Sequence, residues 1–237
     1  MNLGIIAAGD GQRLKDEGFK EPKPLIKIQG ITLLERALNV CEKYKFDSCS
    51  LIINENFKVD VLSSGILNKY KKIKINCIFK STPSSLHSLN ELKSFLSGDS
   101  FCLMTIDSIY RESEFKEFIK SAGNDNQHDG LIAVTDFVDD EKPLWTGLNK
   151  DNRITGFGDE FKSSGFVTGG IYFFRKGIIE HTDTALANNK VRLRNFLQYL
   201  IESGVILKAV PFSKIIDVDH AGDIATAEKF LHENENN

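Results

Sequence analysis

Short apolar runs and amphipathic stretches alternate along the first half of the chain. The apolar runs have the length of buried β-strands, and the stretches between them carry apolar side chains three and four residues apart, as amphipathic helices do. The pattern therefore predicts alternating strands and helices at residues 3–9, 31–44, 48–54, 58–70, 73–80, 85–96, 100–107, 113–122 and 130–137. This order predicts an α/β fold with a mostly parallel central sheet that helices cover on both faces.

The pattern changes after Phe137. Residues 144–160 are typical of two short strands around an Asp-Asn turn, and residues 163–174 of a further strand with a glycine pair inside it, so this segment predicts a small β-rich insertion. A helix, a strand region and a last helix are then predicted at 191–204, 205–220 and 223–233. The final residues, 234–237, are expected to fray.

Composition and charge narrow the range of ligands. The chain has 237 residues, 41% hydrophobic and 27% charged, as expected of a folded, soluble protein. Its net charge of −3 gives no general attraction to nucleic acid or to an anionic membrane, so we expect a small-molecule ligand. A signal-peptide pattern and a membrane-spanning apolar run are both absent, which predicts a cytoplasmic protein. The four cysteines lack C-x-x-C spacing and are expected to be reduced core thiols.

A glycine-containing loop follows the first predicted strand. Gly9 and Gly11 allow backbone N–H groups to approach a phosphate. The third glycine of the dinucleotide pattern G-x-G-x-x-G is replaced by Leu14, which disfavours a dehydrogenase, and the Walker A pattern is absent. Arg13 follows the loop, and Lys23 lies between two prolines that restrict its backbone. A glycine loop with two such cations suits a triphosphate.

Four motifs follow one another along the chain: IIAAGDGQRL, PKPLIKIQGITLLERAL, a strand that ends in Asp107, and DVDHAGDIATAEKFL. Together they resemble the nucleotidyltransferases that activate sugar 1-phosphates and comparable phosphorylated alcohols, over essentially the whole chain. The resemblance implies a single Rossmann-like (GT-A-like) three-layer domain over residues 1–237. Residues 1–137 would form its nucleotide-binding region, and residues 138–237 would bind the acceptor and supply the second metal ligand.

The resemblance also implies roles for the loop and its cations. Arg13 and Lys23 match the pair that neutralises the nucleotide phosphates, although a lone arginine at such a position is most simply a solvated loop residue. The residues that match the loop around the nucleotide are Ala7, Ala8, Gly9, Asp10 and Gly11. Phosphoryl transfer depends mainly on positioning and on charge stabilisation, which explains why cations are needed here.

The family has a metal-binding aspartate at the position of Asp107, which suits Mg²⁺ because this ion takes one or two carboxylates together with phosphates and water. The other interpretation of Asp107 is a helix cap, for which Ser113 is the better candidate. Asp217 and Asp219 lie two apart on a predicted strand, so they face the same side, and either residue completes the metal site. Asp223 is predicted to cap the last helix.

Residues 80–92 match the family segment that recognises the base and the ribose. Its candidate ligands are Thr82, Pro83, Ser84, Ser85 and Ser88. Hydroxyl groups both donate and accept hydrogen bonds, so they fit a purine or a pyrimidine equally well.

For the acceptor, Thr168, Gly169 and Gly170 match a loop that lets the backbone approach the substrate, although a β-bulge would need the same glycines. Arg192 and Arg194 begin a predicted helix, and we take Arg194 as the candidate for the acceptor phosphate. Many family members carry a Glu-Lys-Pro sequence after a Gly-Phe strand, near the sugar phosphate. Here Glu-Lys-Pro stands at 141–143, before the Gly-Phe strand, so we interpret this match as accidental. Lys162, which follows Gly-Phe, is a weak substitute for its lysine.

The resemblance implies a Mg²⁺-dependent transfer of a nucleoside monophosphate from a nucleoside triphosphate to a sugar 1-phosphate, with a product used for polysaccharide or wall synthesis. Two alternatives stay open. The acceptor could be phosphocholine or another phosphorylated alcohol, for which Trp145, Tyr172 and Phe173 would supply an aromatic cage. The protein could also be a nucleotide-binding regulator without turnover.

Overall fold

Seven strands form the central sheet of the protein, whose structure is a computed structural model that describes residues 1–233. The expected fraying of 234–237 lies outside the described residues. Thirteen strands occur among the described residues, in chain order β1 (Asn2–Ala7), β2 (Lys27–Ile28), β3 (Ile31–Thr32), β4 (Cys49–Ile53), β5 (Ile75–Phe79), β6 (Ser100–Thr105), β7 (Ser108–Tyr110), β8 (Gly130–Thr135), β9 (Thr146–Leu148), β10 (Ile154–Phe157), β11 (Val167–Arg175), β12 (Leu207–Phe212) and β13 (Ile215–Asp217).

The helices connect these strands and pack on both faces of the sheet. They are α1 (Gln12–Asp16), α2 (Leu33–Lys43), α3 (Lys58–Ser63), α4 (Ile66–Lys69), α5 (Ser85–Glu91), α6 (Lys93–Leu96), α7 (Glu112–Asn124), α8 (His181–Ala187), α9 (Leu193–Glu202) and α10 (Ala221–His232). The predicted α/β fold class is confirmed.

The strand order in the sheet is β12-β8-β11-β6-β1-β4-β5. Neighbouring strands are parallel except β11, which runs antiparallel to both β6 and β8. A strand from late in the chain therefore lies between two strands from its first 135 residues. β9 and β10 form a separate two-stranded sheet, as predicted for residues 144–160, and β13 pairs with β7 beside the central sheet. The third strand assigned to the β-rich insertion, at 163–174, is instead β11 of the central sheet.

Side chains alternate between the two faces of the sheet, and each face has its own core. Helices α2, α7 and α10 bury Leu38, Phe115 and Phe230 against one face. Helices α5 and α9 bury Leu89 and Phe196 against the other. Because helices cover both faces of the sheet, the side chains on both sides of each central strand are buried. The central strands therefore appear in the sequence as continuous apolar runs.

Two predicted helices are each divided in two. Gly65 ends the first segment of the helix predicted at 58–70, because it adopts a left-handed conformation with φ of 69° and separates α3 from α4. The helix predicted at 85–96 is divided at Leu92, which lies between α5 and α6.

The two predicted helix caps are wrong by two or three positions. Helix α7 begins at Glu112, so Ser113 lies inside its first turn. Helix α10 begins at Ala221, and Asp223 is its third residue, where its carboxylate accepts hydrogen bonds from the backbone N–H groups of Asp219 (2.8 Å) and His220 (2.6 Å). Asp223 thus satisfies donors at the helix start from inside the helix.

The predicted core thiols are confirmed. Cys41, Cys49 and Cys102 are buried, Cys77 is half-buried, and all four are free. No helix among residues 1–233 is both long enough and apolar enough to cross a bilayer.

Candidate functional site

The loop after β1 brings the backbone close to a lysine. Ala7 and Ala8 are buried, whereas Gly9 and Asp10 are exposed. Gly11 has φ of 66°, and a Cβ atom built on it would lie 3.3 Å from Cβ of Lys23. Glycine at position 11 therefore supplies both the left-handed backbone and the space that this close approach requires.

Lys23 begins a short 3₁₀ helix, Lys23–Leu25, between two prolines. Its Nζ atom lies 2.5 Å from Oδ2 of Asp107 and 2.5 Å from Oδ1 of Asp219. Only 10% of its side-chain surface is exposed. The ammonium group is therefore enclosed and bridges two carboxylates from distant segments of the chain.

Arg13, in α1, holds the other oxygen of Asp219. Its Nη1 atom donates to Oδ2 of Asp219 at 2.7 Å, and its Nη2 atom lies 3.7 Å from Oε2 of Glu141. Both oxygens of Asp219 are thus occupied by cationic donors. The N-terminus of α10 is joined to the same region by Glu17, which accepts from the backbone N–H of Ala221 at 2.6 Å.

The cluster shifts the pKa values of its members. Burial acts to lower the pKa of Lys23, but the charges of Asp107 and Asp219 outweigh it and raise this pKa above its ordinary value. Burial acts to raise the pKa of Asp107, and the ammonium of Lys23 outweighs it and holds this pKa below its usual range. Lys23 and Asp107 are therefore both charged at neutral pH.

Asp217 has a different environment from Asp219. Its Oδ1 atom accepts a hydrogen bond from the hydroxyl of Ser108 at 3.1 Å, and that hydroxyl lies 2.8 Å from the hydroxyl of Thr105. Burial and the nearby charge of Asp107 raise the pKa of Asp217 to about 7. Asp217 has no ion-pair partner among the described residues.

The carboxylates at this position fit a hard divalent cation. The Lys23 ammonium shows that the space between Asp107 and Asp219 attracts a cation, and carboxylate oxygens are the ligands that Mg²⁺ prefers. Within residues 1–233 we find no group of three or more His, Cys, Asp or Glu side chains arranged to hold a metal. A cation here would therefore take two protein carboxylates, with its other ligands from phosphates and water.

A cleft of about 520 Å³ opens next to these residues, a volume typical of a small-molecule site. It contains Asp107, Asp217 and Asp219 together with Arg13. Its lining also includes all four predicted acceptor residues, which are Thr168, Gly169, Gly170 and Arg194. The register of the β11–β8 pairing shifts between Thr168 and Tyr172, as the alternative interpretation of these glycines as a β-bulge requires.

Arg192, Arg194 and Lys142 all line the cleft, but they differ in whether their charged groups have a partner in the protein. Arg194 donates through Nη2 to the carbonyl of Lys142 at 2.9 Å. The charged groups of Arg192 and Lys142 have no hydrogen-bond or ion-pair partner among the described residues. The Glu-Lys-Pro sequence 141–143 thus lies in the lining of the same cleft as the predicted acceptor residues. Lys162 lies over the ring of Trp145, 5.9 Å from its centre, and does not line the cleft.

The predicted base-recognition segment is only partly directed at the cleft. Ser85 lines it, and its hydroxyl accepts from the backbone N–H of Leu193 at 2.9 Å. Ser88 is buried, and its hydroxyl lies 2.6 Å from that of Thr82. Ser84 and Pro83 lie in the turn that leads into α5. Thr82 and Ser88 thus already have a structural partner in each other.

A nucleotidyl transferase family model matches residues 4–234. The chain belongs to this family. The match covers almost all of the chain, in agreement with the resemblance expected from the four motifs, and it includes the glycine loop, Lys23 and the aspartates of the cluster.

Relatives of this nucleotidyl transferase support the same family. The chain is 26% identical to the bifunctional protein GlmU of Methanocaldococcus jannaschii over 98% of its own length and 54% of that protein. It is 24% identical to GlmU of Methanococcus vannielii over 99% of its length and 56% of that protein. The chain thus spans little more than half the length of these relatives.

Solved structures share the fold. The inositol-1-phosphate CTP transferase from T. maritima matches with a TM-score of 0.80 at 19% identity, covering 98% of this chain and 96% of its own. A putative glucose-1-phosphate thymidylyltransferase from Bacillus anthracis matches with a TM-score of 0.84 at 15% identity, with the same coverage. Both carry the Rossmann-like arrangement found here.

Several residues of the nucleotidyl transferase site had no clear signal in the sequence. Ser108 follows Asp107 directly, and the polar residues Thr105, Asp107 and Ser108 at the end of a buried strand were the only hint of a hydroxyl network. Of the three residues considered for an aromatic cage, only Tyr172 lines the cleft. Phe173 is the next residue on the strand and packs into the core of the opposite face.

Proposed function

We propose that this protein transfers a nucleoside monophosphate from a nucleoside triphosphate to a sugar 1-phosphate, releasing pyrophosphate. The observation that carries the proposal is the cluster of Lys23, Arg13, Asp107 and Asp219 at the glycine loop, beside a cleft that Arg192 also lines. Membership of the nucleotidyl transferase family supports the reaction class, and the names of the relatives support a phosphorylated acceptor.

In the proposed reaction, a phosphate oxygen of the acceptor attacks the α-phosphorus of the nucleotide. The bond between this phosphorus and the oxygen that bridges to the β-phosphate breaks, and pyrophosphate leaves with that electron pair. Lys23 and Arg13 lie next to the loop 7–11, where they would offset the negative charge of a bound triphosphate. They act by fixed charge and position, and the reaction needs no covalent enzyme intermediate.

Asp107 and Asp219 are the residues that we propose to hold Mg²⁺, because they are the two carboxylates that share one cation in this structure. When bound, the ion would offset charge on the phosphate oxygens. Asp217 instead keeps the Ser108 hydroxyl as its partner and lines the cleft on the acceptor side. This arrangement favours Asp219 over Asp217 as the second ligand.

The acceptor phosphate is proposed to bind Arg192 and Lys142, since both cations line the cleft and are without partners among residues 1–233. Arg194 supports them by holding the Lys142 carbonyl. Ser85, Gly169 and the bulge around Gly170 would contact the rest of the acceptor or nucleotide from the same walls.

The test is pyrophosphate release by Asp107→Asn, with Asp151→Asn as the matched control. Asp107→Asn removes one of the two proposed metal ligands, so kcat/KM is expected to fall at least about a hundredfold. Asp151 lies in an exposed turn outside the cleft, and the control is expected to keep wild-type turnover. Thermal unfolding of both variants checks that the fold is intact. Equal turnover in Asp107→Asn and the control contradicts the proposal.

The substrates are identified by a thermal-shift screen. The four common nucleoside triphosphates are tested with Mg²⁺, each with a panel of sugar 1-phosphates and with phosphocholine, because a ligand that binds only the native state raises its apparent stability. A sugar 1-phosphate that stabilises the protein and supports pyrophosphate release confirms the proposal. If only phosphocholine stabilises the protein and supports pyrophosphate release, the acceptor is phosphocholine and not a sugar 1-phosphate. If a nucleotide binds but no acceptor supports pyrophosphate release, the protein is a nucleotide-binding regulator.

A further inference from the structure

The cation position of the proposed metal site is occupied by the protein's own lysine. The Lys23 ammonium lies 2.5 Å from one oxygen of Asp107 and 2.5 Å from one oxygen of Asp219, and Arg13 takes the second oxygen of Asp219 at 2.7 Å. Three of the four oxygens of this carboxylate pair therefore have a cationic partner within the protein.

The cations of this cluster already neutralise the proposed metal ligands. The two negative charges of Asp107 and Asp219 are paired with the positive charges of Lys23 and Arg13, and Arg13 also lies 3.7 Å from Glu141. A divalent cation that enters alone would have to compete with the Lys23 ammonium for the same oxygens, and the displaced ammonium would repel it. Because Lys23 is nine-tenths buried, water screens that repulsion poorly.

The phosphates of a nucleotide change this balance. Lys23 lies against Gly11 and Arg13 directly follows the loop 7–11, so a triphosphate bound there would give both of them a new anionic partner. Lysine has a flexible four-carbon stem, so its ammonium moves by side-chain rotation while Pro22 and Pro24 hold its backbone. The carboxylates that it leaves would then accept the metal.

We propose that Lys23 is a tethered counter-ion, which fills the cation position between Asp107 and Asp219 until the phosphates of a nucleotide draw it away. Metal and nucleotide then bind in a coupled manner, and the metal alone binds weakly. The inference rests on the proposed function only in taking Asp107 and Asp219 as the metal ligands. By linkage, the factor by which nucleotide tightens metal binding equals the factor by which metal tightens nucleotide binding.

The test measures Mn²⁺ binding by electron paramagnetic resonance, without nucleotide, in the wild type, Lys23→Met and Lys20→Met. Lys23→Met removes the competing ammonium, so its Mn²⁺ dissociation constant is expected to fall at least about tenfold, equivalent to about 1.4 kcal/mol. Lys20 is exposed and belongs to the same segment, so Lys20→Met removes an equal charge without opening the site and is expected to change binding less than about twofold. Binding by Lys23→Met no tighter than by Lys20→Met overturns the inference.

A second measurement uses the wild-type protein and does not depend on how Lys23→Met folds. Lysine side chains are labelled with ¹³C, and the Lys23 signal is assigned by its loss in Lys23→Arg. Mg²⁺ alone at millimolar concentration is expected to leave this signal unchanged, and Mg²⁺ with inorganic tripolyphosphate is expected to shift it. A shift caused by Mg²⁺ alone, equal to that seen with tripolyphosphate, contradicts the inference.

These results are separate from those that test the proposed function. Tight Mn²⁺ binding by Lys23→Met without any pyrophosphate release by the wild type would overturn the proposed function and support the counter-ion role. Normal pyrophosphate release by the wild type, with unchanged Mn²⁺ affinity in Lys23→Met, would support the proposed function and overturn the counter-ion role.

Discussion

Gly170 shows how one residue can control the position of a carboxylate in the cleft. It adopts φ of 72°, and a Cβ atom built on it would lie 2.3 Å from the hydroxyl oxygen of Ser108 and 2.4 Å from that of Thr105. These hydroxyls contact each other, and Ser108 donates to Asp217. Any side chain at position 170 would therefore displace the network on which Asp217 depends.

Gly170→Ala is expected to destabilise the protein by roughly 2 kcal/mol more than Gly177→Ala. Gly177 also has a positive φ, of 92°, but a Cβ atom there meets nothing within 4 Å, so the control measures backbone strain without the clash. Urea unfolding gives both free energies. Equal losses in the two variants would show that the hydroxyl network moves aside without cost.

At the scale of elements, Asp125 stabilises the turn that connects the end of α7 to the start of β8. Its carboxylate accepts from the backbone N–H groups of Gln127 (3.0 Å) and His128 (2.9 Å) and contacts Nδ1 of His128 at 2.8 Å. Burial acts to raise the pKa of Asp125, but these hydrogen bonds outweigh it and hold the pKa below its ordinary value. The folded state therefore binds this proton less readily than the unfolded state does.

Asp125→Asn is expected to lower the free energy of unfolding by about 1 to 3 kcal/mol at pH 7. A lowered carboxyl pKa stabilises the fold above the unfolded pKa, and this contribution is lost as pH falls through the folded pKa. The difference between wild type and variant should therefore shrink as pH falls from about 5 toward about 3. Urea titrations along this pH series check it, and a difference that stays constant with pH would assign the loss to packing instead.

At the scale of the molecule, the sheet supports our proposal that residues 1–237 form one domain. Strand β11 comes from the proposed acceptor-binding region, residues 138–237, and it lies between β6 and β8 of the proposed nucleotide-binding region, residues 1–137. A fragment of residues 1–137 would lack both β11 and β12, so β6 would expose one unpaired edge and β8 would have no partner strand. The two regions share one sheet and one cleft.

The fragment 1–137 is accordingly expected to show no cooperative thermal unfolding on its own. Co-expression with the fragment 138–237 is expected to restore a complex with a single transition, because β11 can then pair on both sides. Differential scanning calorimetry compares the fragment, the pair and the intact chain. A cooperative transition in the isolated fragment would instead establish two domains.

The sequence pattern predicted much of this protein correctly. The alternation of apolar runs and amphipathic stretches depends on local periodicity, and it identified the α/β class and all seven strands of the central sheet. It missed the helices α1 and α8 and the short strands β2, β3 and β7. The motifs around Gly11, Lys23 and Asp107 also depend on short spacings, and they identified the family. Helix starts were less accurate, because Asp223 and Ser113 favour a cap and a first turn almost equally.

The partners of the charged residues depend instead on the packing of distant segments. Arg13 and Asp219 are 206 positions apart, and Lys23 and Asp107 are 84 apart, so no local pattern specifies which carboxylate meets which cation. Residues that alternate along a strand share a face, which left Asp217 and Asp219 equivalent in the sequence. The sheet order and the β13–β7 pairing separate them: Asp219 meets the two cations, and Asp217 meets Ser108.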